Sequence, residues 1–106
     1  MIVSHLKPPY YAVIFTTYVT DDLTDYAETA ERIEEIAKEQ DGYLGIEFAR
    51  DGLGITVSYW RDLESITKWK NNLEHTAARN RGREQWYQQY QLRICKVERE
   101  YGFVKS

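Results

Sequence analysis

The chain has 106 residues, 42% of them hydrophobic and 29% charged, with a formal net charge of −3. A chain of this size buries roughly 60–70% of the surface its unfolded form exposes, which supports one core and leaves no room for a second domain. The single cysteine, Cys95, rules out an internal disulfide, and with only His5 and His75 beside it no four-ligand metal site is expected.

In chain order, residues 1–9 read as an N-terminal extension, residues 10–103 as one domain and residues 104–106 as a C-terminal tail. Tyr11 to Tyr18 is β-branched and aromatic without a breaker, which predicts the first strand. Asp25 to Gln40 carries Tyr26, Ala30, Ile33 and Ala37 at helical spacing, with Asp25 and Glu28 placed for a capping box and Asp41-Gly42 as the stop. Tyr43 to Arg50 and Ile55 to Arg61 predict a hairpin joined across Asp51-Gly52-Leu53-Gly54. Asp62 then offers an N-cap for a second helix, where Leu63, Ile66, Lys70, Leu73 and Ala77 recur with Trp69 at the edge of the stripe. Past Asn80 the period fails; Glu84 to Tyr87 reads as a helical turn and Tyr90 to Tyr101 as the last strand.

The order βαββαβ predicts a ferredoxin-like α+β fold, a four-stranded antiparallel sheet with both helices on one face. The first three strands are nevertheless apolar on both alternations, as in Ala12 and Ile14 against Val13 and Phe15. A solvated sheet face shows polar residues at every second position, so something is expected to cover the second face. A homodimer whose sheets face each other is the expected cover; the alternative is a monomer whose second helix and chain ends wrap over it.

Charge and aromatic content narrow the function. Residues 21–51 carry eleven acids against three bases, and residues 65–83 carry five bases against Glu74. The basic run Arg79, Arg81, Arg83 with Trp86 and Tyr87 looks like a nucleic-acid patch, but the acidic first helix opposes that; a solvated basic turn that pairs with neighbouring acids or with an anionic ligand is expected, and no nucleic-acid partner. No apolar run approaches the ~20 residues of a membrane span and no leader is visible, so the expectation is a cytoplasmic protein without a membrane partner. The segments Gly42 to Gly45 and Gly52 to Gly54 precede strands, so no phosphate-binding loop is predicted. Cys95 lies in an apolar strand, where an inert thiol is expected. Nine Tyr and three Trp are left as the unusual feature, and such side chains suit an interface or a pocket for a flat ring. On an ideal helix Ser65 and Trp69 share a face, while His75 projects about 120° further round, so a kink near His75 is needed to bring it to Trp69.

The order of elements, the strand Gly54-Ile55-Thr56-Val57-Ser58-Tyr59-Trp60, the helix with Trp69 and His75, and the segment with Trp86, Tyr87 and Tyr90 resemble the antibiotic biosynthesis monooxygenase domain over about residues 10–103. The resemblance implies a dimeric α+β barrel. It also implies oxidation of a small aromatic, phenolic substrate by O2, with no cofactor and no metal. In quinone-forming members an Asn lies four residues before the Trp and a Tyr six residues after it; Ser65 and His75 stand at those positions here. By this resemblance His75 is the general base, Trp69 stacks on the substrate ring and Ser65 orients an oxygen. Trp60, Tyr18, Thr16 and Trp86 are the expected substrate-binding side chains, with Thr56, Ser58 and Trp60 lining one pocket with Thr16 and Tyr18 if the strand register allows. The haem-degrading members pair an Asn on the first strand with a Trp and a His; this chain has Phe15-Thr16-Thr17-Tyr18 there, and haem on His75 is the second expectation. A dimer that binds a small apolar ligand without chemistry is the third.

Overall fold

The computed structural model describes residues 2–106, so that Met1, at the head of the expected extension, lies outside the described residues. The elements are β1 (Tyr10–Val19), α1 (Tyr26–Lys38), β2 (Tyr43–Asp51), β3 (Leu53–Trp60), α2 (Leu63–Lys70), α3 (Leu73–Arg81), a π-helical turn (Gly82–Trp86) and β4 (Tyr87–Val97). The strands form one sheet in the order β2-β3-β1-β4, every neighbouring pair antiparallel. This is the ferredoxin-like α+β fold read from the sequence, with two differences in its helices.

The first difference is at the start of α1. Asp25 stands at φ 63° and caps nothing; its carboxylate accepts from Arg81 Nη2 at 3.0 Å instead. A partner distant in sequence has displaced the expected capping box. The second difference is larger. One helix was expected from Leu63 to Ala77, but the chain breaks at Asn71 and Asn72, and the Asn72 side chain accepts from His75 N at 3.1 Å to begin α3. Asparagine competes for backbone groups in this way and is favoured at such a cap. The break turns the apolar stripe out of register: Leu73 is 87% exposed, and α3 buries no residue at all. The expected cap at Asp62 forms, accepting from Ser65 N at 2.8 Å. The last strand begins at Tyr87, three residues before its expected start, and ends at Val97.

Register decides which side chains share a face. Tyr11 lies opposite Trp60, Val13 opposite Ser58 and Phe15 opposite Thr56, so these project to the helix side. There Trp60 has no exposed surface; Ile36 and Ala37 of α1 and Ile66 and Trp69 of α2 close over it, with Tyr43 edge-on at 5.6 Å. The other face carries Ile14, Val57, Ile55 and Tyr18, and Ile55 and Tyr18 are 41% and 48% exposed. The core helices α1 and α2 pack on the opposite side, over Trp60. The chain ends reach one end of it, where Val3 N donates to Glu47 at 2.9 Å and Tyr10 donates to Glu100 at 2.9 Å. Cys95 is half-buried on the same face, opposite Ala12.

Gly42 shows how the turn after α1 locks the start of α2. Its φ of 89° belongs to the left-handed region, and a Cβ there would run into the Ser65 hydroxyl. Gly42→Ala is expected to cost about 1–3 kcal/mol in urea denaturation. Gly102→Ala, which meets open space and no unusual φ, should stay within about 0.5 kcal/mol of the parent.

Candidate active site

The break between α2 and α3 builds the candidate site. Trp69 projects from α2 into the core, 9% exposed, with its ring stacked against Trp60 at 6.1 Å. Because α3 starts afresh at Asn72, His75 folds back over the end of α2, and its ring lies on that of Trp69 at 4.3 Å and 11°. The kink that the sequence reading required is therefore present, placed three residues before His75.

A hydrogen bond fixes the state of the imidazole. Nδ1 of His75 lies 3.0 Å from the carbonyl oxygen of Trp69. A carbonyl only accepts, so Nδ1 carries the proton and the neutral ring keeps its lone pair on Nε2. Burial pushes the imidazole below its ordinary value of 6.5; the Trp69 carbonyl pulls the other way, and the charge of Arg79 adds to the lowering. His75 thus stays neutral at neutral pH, with Nε2 free of any hydrogen bond among the described residues, which is what a general base requires.

The remaining expected residues are not gathered around this pair. Ser65 is 5% exposed and packs at the other end of α2, against Gly42 and under the Asp62 cap. Trp60, fully buried, donates from Nε1 to Ser58 Oγ at 3.0 Å and backs Trp69 from behind; the expectation that it touches a ligand is corrected to a supporting position. Trp86 is 2% exposed at the junction of α1 with the π-helical turn, where Nε1 donates to the Thr24 carbonyl at 2.9 Å and the Arg81 guanidinium covers its ring at 4.9 Å. Thr16 pairs with Ile55 and Tyr18 with Gln89, so both point to the face away from the helices. They cannot share a pocket with Thr56, Ser58 and Trp60, and that expectation is corrected by the register.

Two features escaped the sequence reading. Thr17, 3% exposed, lies on the helix side, where Arg50 donates to its hydroxyl at 2.6 Å and to its carbonyl at 3.4 Å. Beside it Phe15 meets Tyr87 and Tyr90 at 5.4 and 5.2 Å, and burial pushes the Tyr87 hydroxyl well above the ordinary phenol range. The alternation Val13, Phe15, Thr17 carried this cluster, but the face became legible only with the register. The second feature is the unpaired Nε of Arg79, a residue read from the sequence only as part of a basic run, one turn after His75 on α3. A cleft of about 500 Å³ separates α1 from α3 on their outer side, and one of about 390 Å³ lies at the β2 edge beside Phe48; neither is lined by Trp69 or His75. Among the described residues no three His, Cys, Asp or Glu side chains gather as metal ligands, and no helix is long and apolar enough to cross a membrane.

The lowered His75 value has a consequence for stability. A histidine whose folded value lies below its unfolded one contributes most above the unfolded value of about 6.5, and the contribution is lost as pH falls through the folded value. Wild type is therefore expected to lose stability on acidification from that point relative to His75→Gln. Urea denaturation of both proteins across that range checks it, and parallel curves would contradict the burial of a neutral ring.

The sequence of this chain matches the antibiotic biosynthesis monooxygenase family over residues 9–81. It is 48% identical over 102 residues to the uncharacterized protein YqjZ of Bacillus subtilis, covering 94% of this chain and 90% of that protein. It is 29% identical over 92 residues to the jasmonate monooxygenase ABM of Pyricularia oryzae, covering 82% of this chain but 43% of that longer protein. Among solved structures it superposes on Rv0793 of Mycobacterium tuberculosis with a TM-score of 0.77 at 11% identity, covering 88% of this chain and 99% of that one. SnoaB, a cofactor-independent oxygenase of Streptomyces nogalater, gives 0.74 at 8% identity, covering 87% and 96%. Such low identities speak for the fold alone, whereas the sequence match spans most of the sheet and all of α2 and α3: this chain belongs to the antibiotic biosynthesis monooxygenase family.

Proposed function

We propose that this protein is a monooxygenase that oxidises a small, flat phenolic substrate with O2, using no cofactor, and that His75 is its general base. The observation that carries this reading is the imidazole stacked on Trp69 with Nδ1 tied to a carbonyl and Nε2 left free. In the proposed reaction the substrate O–H gives its proton to Nε2, and the electron pair stays on the ring system. That electron-rich anion passes an electron to O2, and the resulting pair joins at a ring carbon as a peroxide. His75 returns the proton, and loss of water leaves the new carbonyl. One oxygen atom is retained and the other leaves as water, so no outside reductant is needed. Trp69, stacked between Trp60 and His75, is assigned to holding the imidazole in place, and Ser65, at the far end of α2, to holding the helix start rather than to orienting oxygen.

A second reading is haem held by His75. Its support is the same hydrogen bond, because a ring fixed through Nδ1 presents Nε2 to a metal, as haem ligands do. Haem would there supply the oxygen-activating iron. Titration with hemin separates the readings: a bound Soret band lost in His75→Ala supports haem, and no band supports the cofactor-free chemistry.

We also propose that the working form is a homodimer, with the sheet faces opposite the helices packed together as in an α+β barrel. Support comes from Ile55, Leu53 and Tyr18, exposed by 41%, 39% and 48% on that face, which the chain ends reach at one end only. Light scattering on Ile55→Glu should show a monomer where wild type shows a dimer, since a buried unpaired charge costs several kcal/mol.

Oxygen uptake with anthrone-type phenols tests the activity itself. Wild type should consume O2, and His75→Ala should be slower by about 10²–10⁴-fold, the usual contribution of a positioned general base. No uptake by wild type, or equal uptake by the variant, would leave a ligand-binding dimer without chemistry as the better account.

A further inference from the structure

Arg79 is the one arginine of α1 and α3 without an ion pair among the described residues. Arg32, Arg61 and Arg81 each meet a carboxylate, at 3.4, 3.0 and 3.0 Å, whereas Arg79 makes no ion pair among the described residues. Its one hydrogen bond runs from Nη1 to the Lys70 carbonyl at 3.3 Å, the long end of the range. Its Nε is the single buried side-chain nitrogen or oxygen among the described residues that has no partner. An N–H left in that state is costly, and native structures keep few of them without a reason.

Position supplies the reason. Arg79 follows His75 by one turn of α3, so the two side chains lie on one face of the helix, and the guanidinium charge is felt at the imidazole. Both rest on carbonyls at the end of α2, His75 on Trp69 and Arg79 on Lys70. The helix that carries them buries no residue fully, and His75 and Arg79 are its half-buried contacts with the end of α2. Its ion pairs, Arg32 of α1 with Glu74 and Arg81 with Asp25 just before α1, are exposed and hold it weakly.

We propose that Arg79 binds the ionised oxygen of the phenolic ligand already proposed for this site. On binding, the ligand O–H bond breaks, its proton passes to His75 Nε2, the electron pair stays on oxygen, and Arg79 Nε–H donates to that oxyanion. The inference rests on the reading of His75 as a base and adds what stabilises the anion that base creates.

The test uses 4-nitrophenol, whose phenolate is coloured, and its methyl ether 4-nitroanisole, which has the same ring and no proton to lose. In buffer below the phenol's own pKa, wild type should bind 4-nitrophenol with the phenolate band and at least about tenfold more tightly than 4-nitroanisole, the scale of one charge-assisted hydrogen bond. Arg79→Gln should lose the band and the preference while binding 4-nitroanisole as before, and Arg79→Lys should restore part of both. An unchanged band in Arg79→Gln, an equal loss of affinity for both probes, or no binding of either probe by wild type would each overturn the proposal. Oxygen uptake keeps the two claims apart. Phenolate held by Arg79 without O2 consumption would remove the oxygenase reading alone, and His75-dependent uptake with a neutral bound phenol would remove the role of Arg79 alone.

Discussion

The candidate site depends on one hydrogen bond, from His75 N–H to the Asn72 side chain. It ends the helical run that began at Asp62 and starts a new one, and by doing so it changes where every later side chain points. On one continuous helix His75 would stand about 120° away from Trp69. With the break, the ring lies flat on Trp69 and its Nδ1 reaches the Trp69 carbonyl at the end of α2, which also accepts from Asn72 N at 3.1 Å. One local capping event thus produces both the stack and the tautomer. The lowered basicity then follows from the burial that the stack imposes.

Packing behind the pair makes it rigid on one side and loose on the other. Trp60 is entirely buried and holds Trp69 from the sheet, with Tyr43 against its edge and α1 above. The Trp60, Trp69, His75 series therefore runs as a column of rings from the sheet to the polar surface of α3. Only its outer end, His75, sits on an element without buried residues. The outer face of the imidazole and its Nε2 are thus the part of the column turned away from the core.

The sequence made the fold legible because its signals were local: Asp62 caps α2 as read, and Gly52 turns the hairpin between strands of the expected type. Signals that depended on distant partners were not legible. Asp25 and Glu28 are spaced as a capping box, yet Arg81 from α3 takes the Asp25 carboxylate. Thr16 and Thr17 are neighbours of the same type, and only pairing with Ile55 and Gly54 tells that Thr16 faces away from the helices and Thr17 toward them. The break at Asn72 was visible as the three-residue spacing from Asn72 to His75, but the recurrence of Leu63, Ile66, Leu73 and Ala77 at helical spacing masked it. The unpaired Nε of Arg79 has no signature in sequence, since it records what the neighbours fail to supply.

The central claim is that His75 is held neutral, protonated on Nδ1 and with its lone pair on Nε2. Long-range ¹H–¹⁵N correlation of the histidine side chains at neutral pH reads this directly, with His75→Gln used to assign the signals. The account predicts a single Nδ1–H tautomer for His75, its proton protected from exchange by the Trp69 carbonyl. An Nε2–H tautomer, or a charged ring at that pH, would contradict it.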